Sequence, residues 1–198
     1  MKHIMRPTAA VPVVLGVAVL LALTAAPAAA GIDGIEVVGG IDLYARADYI
    51  TSADGASLLF WGLTDSATGR PQYPAPTLII NQGEEITITL HNELGRNVSL
   101  IFPGHDVAGA GSCTDTSGLP APSPGDATGR MTCEAPADGT SSYTFTAEQA
   151  GTYLYHSGTN AALQVEMGLL GAIVVRPFGF DDQNPTAYGH PDTAFDRE

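Results

Sequence analysis

Alternation of apolar and polar residues is the feature that most constrains how this chain can fold. From Glu85 to Asn92, three aliphatic residues alternate with two threonines and a histidine. A period of two is the pattern of a β-strand with one buried face. The aliphatic side chains are therefore predicted to point into a core, and His91 is predicted to face solvent.

Eight further short segments, rich in apolar and β-favouring residues, are separated by Gly, Pro, Ser and Asp. They are Ile35–Val38, Ile41–Tyr49, Ser57–Leu63, Thr77–Asn81, Val98–Phe102, Ser141–Thr146, Gly151–His156 and Ala172–Arg176. Many short strands at this spacing indicate an all-β sandwich. The one predicted helix is a turn or two from Ala161 to Met167, which Gly168 ends.

The N-terminus is predicted to be a separate segment. Lys2 and Arg6 precede an apolar run from Val11 to Leu23, and three alanines end at Ala30. This layout is typical of a cleavable secretory signal, here residues 1–30. The alternative is a membrane anchor, but the run is shorter than the roughly 20 residues of a spanning helix. We expect secretion to the periplasm or the extracellular space, with no stable membrane anchor after cleavage.

The charge balance excludes several functions. The chain has a formal net charge of −13 at pH 7. Its first 30 residues hold two basic residues and no acidic one, so the rest carries −15. Such a surface repels phosphate backbones, and no nucleic-acid partner is expected. Lys2 is the one lysine of the chain, which excludes Schiff-base chemistry and a phosphate-loop lysine from the mature protein.

The stretch from Val107 to Gly139 is rich in Gly, Ser, Thr, Pro and Asp and is predicted to be a long surface excursion. Cys113 and Cys133 lie inside it and are the only cysteines. In an exported chain, an even pair is most simply a disulfide, and a metal-ligand or reactive-thiol role is the alternative.

Motifs of hydrolytic chemistry are absent: the sequence has no G-x-S-x-G, no H-E-x-x-H and no phosphate loop. No two histidines form a His-x-His pair. Scattered aspartates in and beside the cysteine loop (Asp106, Asp115 and Asp126) leave a site for a hard cation such as Ca²⁺ as a third hypothesis.

Two stretches resemble a known family. "YPAPTLIINQGEEITITLHNELGRNVSLIFPG" and "GTYLYHSGTNAALQVEMGLLGAIVVRP" are similar to the first plastocyanin-like domain of a multicopper oxidase. The resemblance implies a cupredoxin-type Greek-key β-sandwich over residues 31–178, copper binding and oxidoreductase activity. Residues 179–198 would be a linker or, since "DTAFDRE" resembles one, the start of a second cupredoxin domain.

The resemblance also shows where copper ligands would stand. Its His-x-His pair falls on Ile101 and Pro103, and its Tyr-His-Ser-His motif keeps His156 but has Gly158 in place of the last histidine. Copper(II) prefers nitrogen donors such as imidazole, which these replacements lack. His156 is the first candidate metal ligand, and His105 is a displaced candidate whose default role is that of an ordinary loop histidine. His156 itself has the alternative role of bonding a backbone group or a carboxylate.

We therefore expect an exported plastocyanin-like domain of multicopper-oxidase type, degenerate in copper binding. It would act as a structural or interaction module, or as the first domain of a longer protein. Copper is expected to be absent or substoichiometric in this chain alone, and the chain alone is not expected to be an active oxidase. The alternative is a copper-binding oxidoreductase fragment whose cluster is completed by further cupredoxin domains or subunits.

Overall fold

Nine strands form two sheets in the part of the chain that the computed structural model describes, residues 34–107, 112–115 and 132–195. The strands are β1 (Ile35–Glu36), β2 (Gly40–Thr51), β3 (Ser57–Thr64), β4 (Leu78–Asn81), β5 (Glu85–Asn92), β6 (Ser112–Asp115), β7 (Thr140–Thr146), β8 (Gly151–His156) and β9 (Leu170–Arg176). The predicted signal, residues 1–30, lies outside the described residues.

The smaller sheet has the strand order β1-β4-β9-β8, and the larger has β3-β2-β5-β7-β6. Both sheets are mixed: β2 pairs with β5 in parallel and with β3 antiparallel, while β4 pairs with β9 in parallel. Neighbours in a sheet are mostly distant in sequence, which requires connections that cross from one sheet to the other. The predicted all-β sandwich is confirmed.

The core lies between the two sheets. Its side chains come from alternate residues of the strands, as the alternating sequence pattern predicts. In β5, Ile86, Ile88 and Leu90 are all 0% exposed. The smaller sheet contributes Leu78 and Ile173, likewise fully buried, and all five side chains belong to one hydrophobic cluster. Because successive strand residues point to opposite faces, the threonines of β5 lie on the outer face.

Two predictions about strands were wrong. Part of the supposed surface excursion, β6, is an edge strand that pairs with β7. Val98–Phe102 forms no continuous strand, because Val98 bridges Ala135 whereas Ile101 bridges His156. Because the segment changes its pairing partner within four residues, it forms isolated bridges and no continuous ladder of backbone hydrogen bonds.

The predicted helix is confirmed as α1 (Ala161–Met167), which ends at Gly168 with a φ of 120°. Beyond β9, a short 3-10 helix covers Pro191–Thr193, and Phe180 stacks on Phe195 with ring centroids 6.4 Å apart. The domain boundary at residue 178 stays a prediction. None of the described helices has the length and apolar character needed to cross a membrane.

Candidate metal centre

The positions where copper ligands were expected come together through backbone pairing. Ile101 N–H donates to the His156 carbonyl at 2.8 Å, and His156 N–H donates to the Ile101 carbonyl at 3.1 Å. Gly158 N–H donates to the carbonyl of Ser99 at 3.4 Å. Pro103 follows Ile101 by two residues on the same segment. The fold therefore retains the scaffold of the site, whichever side chains it carries.

His156 is half-buried at the C-terminal end of β8. Its Nδ1 lies 3.0 Å from the carbonyl oxygen of Ser157. A carbonyl oxygen only accepts hydrogen bonds, so Nδ1 carries the proton and the lone pair of the neutral ring resides on Nε2. His156 thus bonds a backbone group, as one of its two predicted roles required, and still offers one nitrogen donor.

The space beside Gly158 is filled. A Cβ atom at this glycine would lie 2.8 Å from Cγ2 of Ile101 and 3.1 Å from Oγ of Ser99. The first distance is far inside van der Waals contact, and a methyl on a β-branched carbon moves little without a change of rotamer. No larger side chain fits at residue 158 unless Ile101 moves or is replaced.

A hydrogen-bond network surrounds the same position. Ser99 Oγ and Thr159 Oγ1 are 2.8 Å apart, and Thr159 Oγ1 donates to Oε1 of Glu134 at 2.6 Å. Ser157 Oγ donates to Oε1 of the buried Gln164 at 2.6 Å. The hydroxyl, amide and carboxylate groups next to the expected ligand positions thus form hydrogen bonds with one another. Sequence patterns gave no signal for this network, because its members are up to 60 residues apart.

These residues do not fit a copper cluster. Of the four expected imidazoles the chain supplies one, at His156, while Ile101 and Pro103 have aliphatic side chains and Gly158 has none. The room that a second ligand at residue 158 would need is occupied by Ile101. Among the described residues, no three His, Cys, Asp or Glu side chains are placed to hold a metal ion.

His105 is surrounded by aromatic rings. Its ring centroid lies 4.7 Å from that of Phe145 and 4.6 Å from that of Tyr153. Nε2 is buried and has no hydrogen-bond partner among the described residues. Burial disfavours the charged imidazolium and so lowers the pKa of His105 below its ordinary value. The neutral ring acts as a packing element in this structure.

The remaining candidates are placed as follows. Nε2 of His91 lies 2.7 Å from Oδ1 of Asp42 on the outer face of β5, and 31% of the His91 side chain is exposed.

Cys113 is opposite Tyr143 in the β6–β7 register, and Tyr143 Oη donates to the carbonyl of Cys133 at 2.9 Å. Asp126 lies outside the described residues, so the calcium hypothesis stays a prediction.

Comparison with known proteins identifies the family. The multicopper oxidase family matches residues 65–179, more than half of the chain. The chain belongs to the multicopper oxidase family. It is 36% identical over 118 residues to the iron transport multicopper oxidase fetC of Epichloe festucae, covering 56% of this chain and 17% of that protein. It is 33% identical over 113 residues to the multicopper oxidase CTB12 of Cercospora beticola, covering 57% of this chain and 15% of that protein.

Solved structures confirm the cupredoxin-type sandwich. A multicopper oxidase from Campylobacter jejuni, described as a metallo-oxidase, matches with a TM-score of 0.51 and 22% identity over 73% of this chain and 27% of that one. The multicopper oxidase from Pseudomonas thermotolerans matches with a TM-score of 0.53 and 19% identity over 80% and 32%. The matches to the two fungal relatives cover 17% and 15% of their lengths.

Crowding at residue 158 leads to a prediction about stability. Gly158→Ala should lower the free energy of unfolding by about 1–3 kcal/mol, because the added methyl overlaps Cγ2 of Ile101. In an Ile101→Ala background the same change should cost less, since that methyl is gone. Gly95→Ala is the control, because a Cβ there meets no atom within 4 Å. Urea denaturation measures all four variants; equal losses in both backgrounds would contradict the crowding.

The buried ring of His105 predicts a pH dependence. As pH falls through about 6.5, the ordinary histidine pKa, the unfolded chain takes up a proton before the folded chain does, so stability falls. His105→Phe keeps an aromatic ring against Phe145 and Tyr153 but does not titrate. We expect its stability to fall less than that of the wild type between about pH 7.5 and 5.5. Parallel denaturation series test this, and equal slopes would contradict it.

Proposed function

We propose that this chain is a plastocyanin-like domain of the multicopper oxidase family that is degenerate in copper binding. It acts as a structural or interaction module, or as the first domain of a longer protein. The observation that supports this most is the crowding at Gly158, where the methyl of Ile101 occupies the place of a ligand side chain. Loss of ligands alone would leave an open site, whereas here the site is packed.

A second candidate function rests on His156. Its Nδ1 bonds to Ser157, which holds the ring in place and leaves Nε2 as a donor. The chain matches 17% of the length of one fungal oxidase and 15% of another. In this alternative, other domains or subunits complete a copper cluster to which His156 contributes one imidazole, and the assembly has oxidoreductase activity. Copper bound there would supply electron-transfer chemistry.

Copper content separates the two candidates. The full chain is incubated with Cu(II), desalted and analysed for copper, beside His156→Ala and the control His91→Ala, which removes a partly exposed histidine elsewhere. For the proposed function we expect copper well below one atom per chain in all three proteins. About one copper per chain that is lost in His156→Ala and kept in His91→Ala would overturn the proposal in favour of the second candidate.

We also propose that the protein is exported to the periplasm or the extracellular space. The support is the layout of residues 1–30, with two basic residues, an apolar run and three alanines before Gly31. The strongly negative charge agrees with a protein that binds no nucleic acid. Further cupredoxin domains or subunits are the proposed partners.

In that oxidising setting, we propose that Cys113 and Cys133 form a disulfide. The support is their placement: Cys113 pairs in register with Tyr143, and Tyr143 bonds to the backbone of Cys133, which is 1% exposed. No free cysteine is found among the described residues. Such a bond would tie edge strand β6 to the segment that precedes β7.

Mass spectrometry of the purified chain tests the disulfide. The intact mass should be lower by two hydrogens before reduction than after it, and alkylation should label neither cysteine without a reductant. The bond closes a loop with 19 intervening residues, for which reduction should cost about 3 kcal/mol of stability. Labelling of both cysteines in the unreduced, unfolded chain would contradict the pairing.

A further inference from the structure

One edge of the smaller sheet is open. β8 is the last strand of that sheet, and on its free side Ile101 and His156 exchange two backbone hydrogen bonds. In an antiparallel pairing the next such exchange falls two residues along each segment, on Pro103 and Leu154. Proline has no N–H to donate, and no backbone bond joins these two described residues.

The pairing therefore stops short of the first half of β8. The backbone groups of Tyr153 and Tyr155 point toward β9, because successive residues in this register alternate between the two sides of the strand. The N–H and C=O groups of Thr152 and Leu154 thus point to the free edge, where no described residue bonds to them. The side chain of Leu154 is 56% exposed. An uncovered edge of this kind is a template for a further strand.

A cavity of about 220 Å³ lies at the same end of β8. It is enclosed by β8, the end of β9 and the C-terminal segment, which is Pro177–Phe195 among the described residues. Thr152 and Val174 line it and alternate with core-facing neighbours, so it lies on the outer face of the sheet. The C-terminal segment contributes three aromatic side chains, those of Phe180, Tyr188 and Phe195.

The cationic side chain in the cavity wall is already paired. Nη1 of Arg176 lies 2.8 Å from Oε1 of Glu36, and the guanidinium carbon lies 4.6 Å from the centre of the Phe180 ring. The cavity thus offers aromatic surface and no unpaired cation, which suits an uncharged apolar side chain. Because a cavity of roughly 150 Å³ holds benzene, there is room for one aromatic ring.

The open edge and the cavity fit one kind of ligand, an extended peptide. In a strand added to β8, the residue opposite Thr152 has its side chain on the same face as that of Thr152. This is the outer face, on which the cavity lies. The backbone of this residue can bond to Thr152 while its side chain enters the cavity, and the residue two positions along lies beside Leu154. In this mode of recognition, backbone pairing supplies affinity and the cavity supplies specificity.

Charge adds a requirement for the peptide. The C-terminal segment has no Lys or Arg and has three exposed aspartates, Asp181, Asp182 and Asp192. Glu148 is exposed three residues before β8. The formal charge of the whole chain is −13. A basic peptide is therefore attracted to this edge, and an acidic one is repelled.

We propose that the free edge of β8 and the adjacent cavity bind an extended basic peptide. The peptide pairs antiparallel with Thr152–Leu154, places one aromatic side chain in the cavity and carries Lys or Arg beside its apolar residues. This rests on the interaction role in the proposed function and names the class of partner for it. It does not involve copper, so the copper measurement and the binding measurement fail separately.

Fluorescence anisotropy tests the proposal with a dye-labelled, end-blocked peptide of sequence KVTFTVK, titrated with the full chain up to about 1 mM. Its Phe and both Val share one face of a strand, and a Lys stands at each end. We expect saturable binding that weakens several-fold between about 0.05 and 0.5 M NaCl, because salt screens the attraction. The acidic peptide EVTFTVE should bind about tenfold more weakly or worse.

Backbone methylation of the peptide separates strand pairing from general apolar binding. With Phe opposite Thr152, the Phe N–H points toward β8, whereas the N–H of the next residue, a Thr, points away. N-methylation of Phe should weaken binding by about tenfold or more, since it removes a backbone donor. N-methylation of that Thr is the matched control and should change binding by less than about twofold. Binding that survives methylation of Phe would overturn the pairing.

A variant of the protein tests the cavity. Tyr188→Ala should weaken binding by about three- to tenfold, because it removes one aromatic wall. Tyr73→Ala is the control, since Tyr73 is 50% exposed but does not line the cavity. Thermal melts should show that both variants remain folded. Equal loss of binding in the two variants, or a wild type that does not bind KVTFTVK at about 1 mM, would overturn the proposal.

Discussion

The pair of backbone hydrogen bonds between Ile101 and His156 brings together the positions where copper ligands were expected. It holds the irregular segment after β5 against the end of β8, at 2.8 and 3.1 Å. Because these bonds use main-chain atoms, they persist whatever side chains the two residues carry. The backbone arrangement around the expected ligand positions therefore does not depend on which side chains they carry.

The side chains at the expected ligand positions pack against one another and form hydrogen bonds within the chain. A vacated ligand position would leave a cavity or unsatisfied polar groups, and both are costly. Here the methyl of Ile101 fills the space at Gly158, and the hydroxyl of Thr159 links Ser99 to Glu134. The polar groups that remain have partners within the protein. Apolar contact and hydrogen bonds thus cross-link this part of the fold.

The sequence predicted those parts of the fold that depend on local pattern. The alternating pattern of β5 and the helix-breaking Gly168 after α1 predicted both elements correctly. Both signals are local, because the alternation of buried residues and the conformational freedom of glycine depend on a few neighbouring residues. β6 was missed since its four residues include no aliphatic side chain, and its pairing depends on β7. The crowding between Ile101 and Gly158 was beyond prediction for the same reason: it joins residues far apart in the chain.

Packing differs between two parts of the described structure. At the expected ligand positions, the methyl of Ile101 fills the space beside Gly158, while Nε2 of His156 still offers a lone pair. At the outer end of the β2–β3 hairpin, Tyr49 and Leu59 are opposite each other in the register but remain 59% and 49% exposed. In this member of the multicopper oxidase family, packing is therefore tighter around the expected ligand positions than at the end of this hairpin.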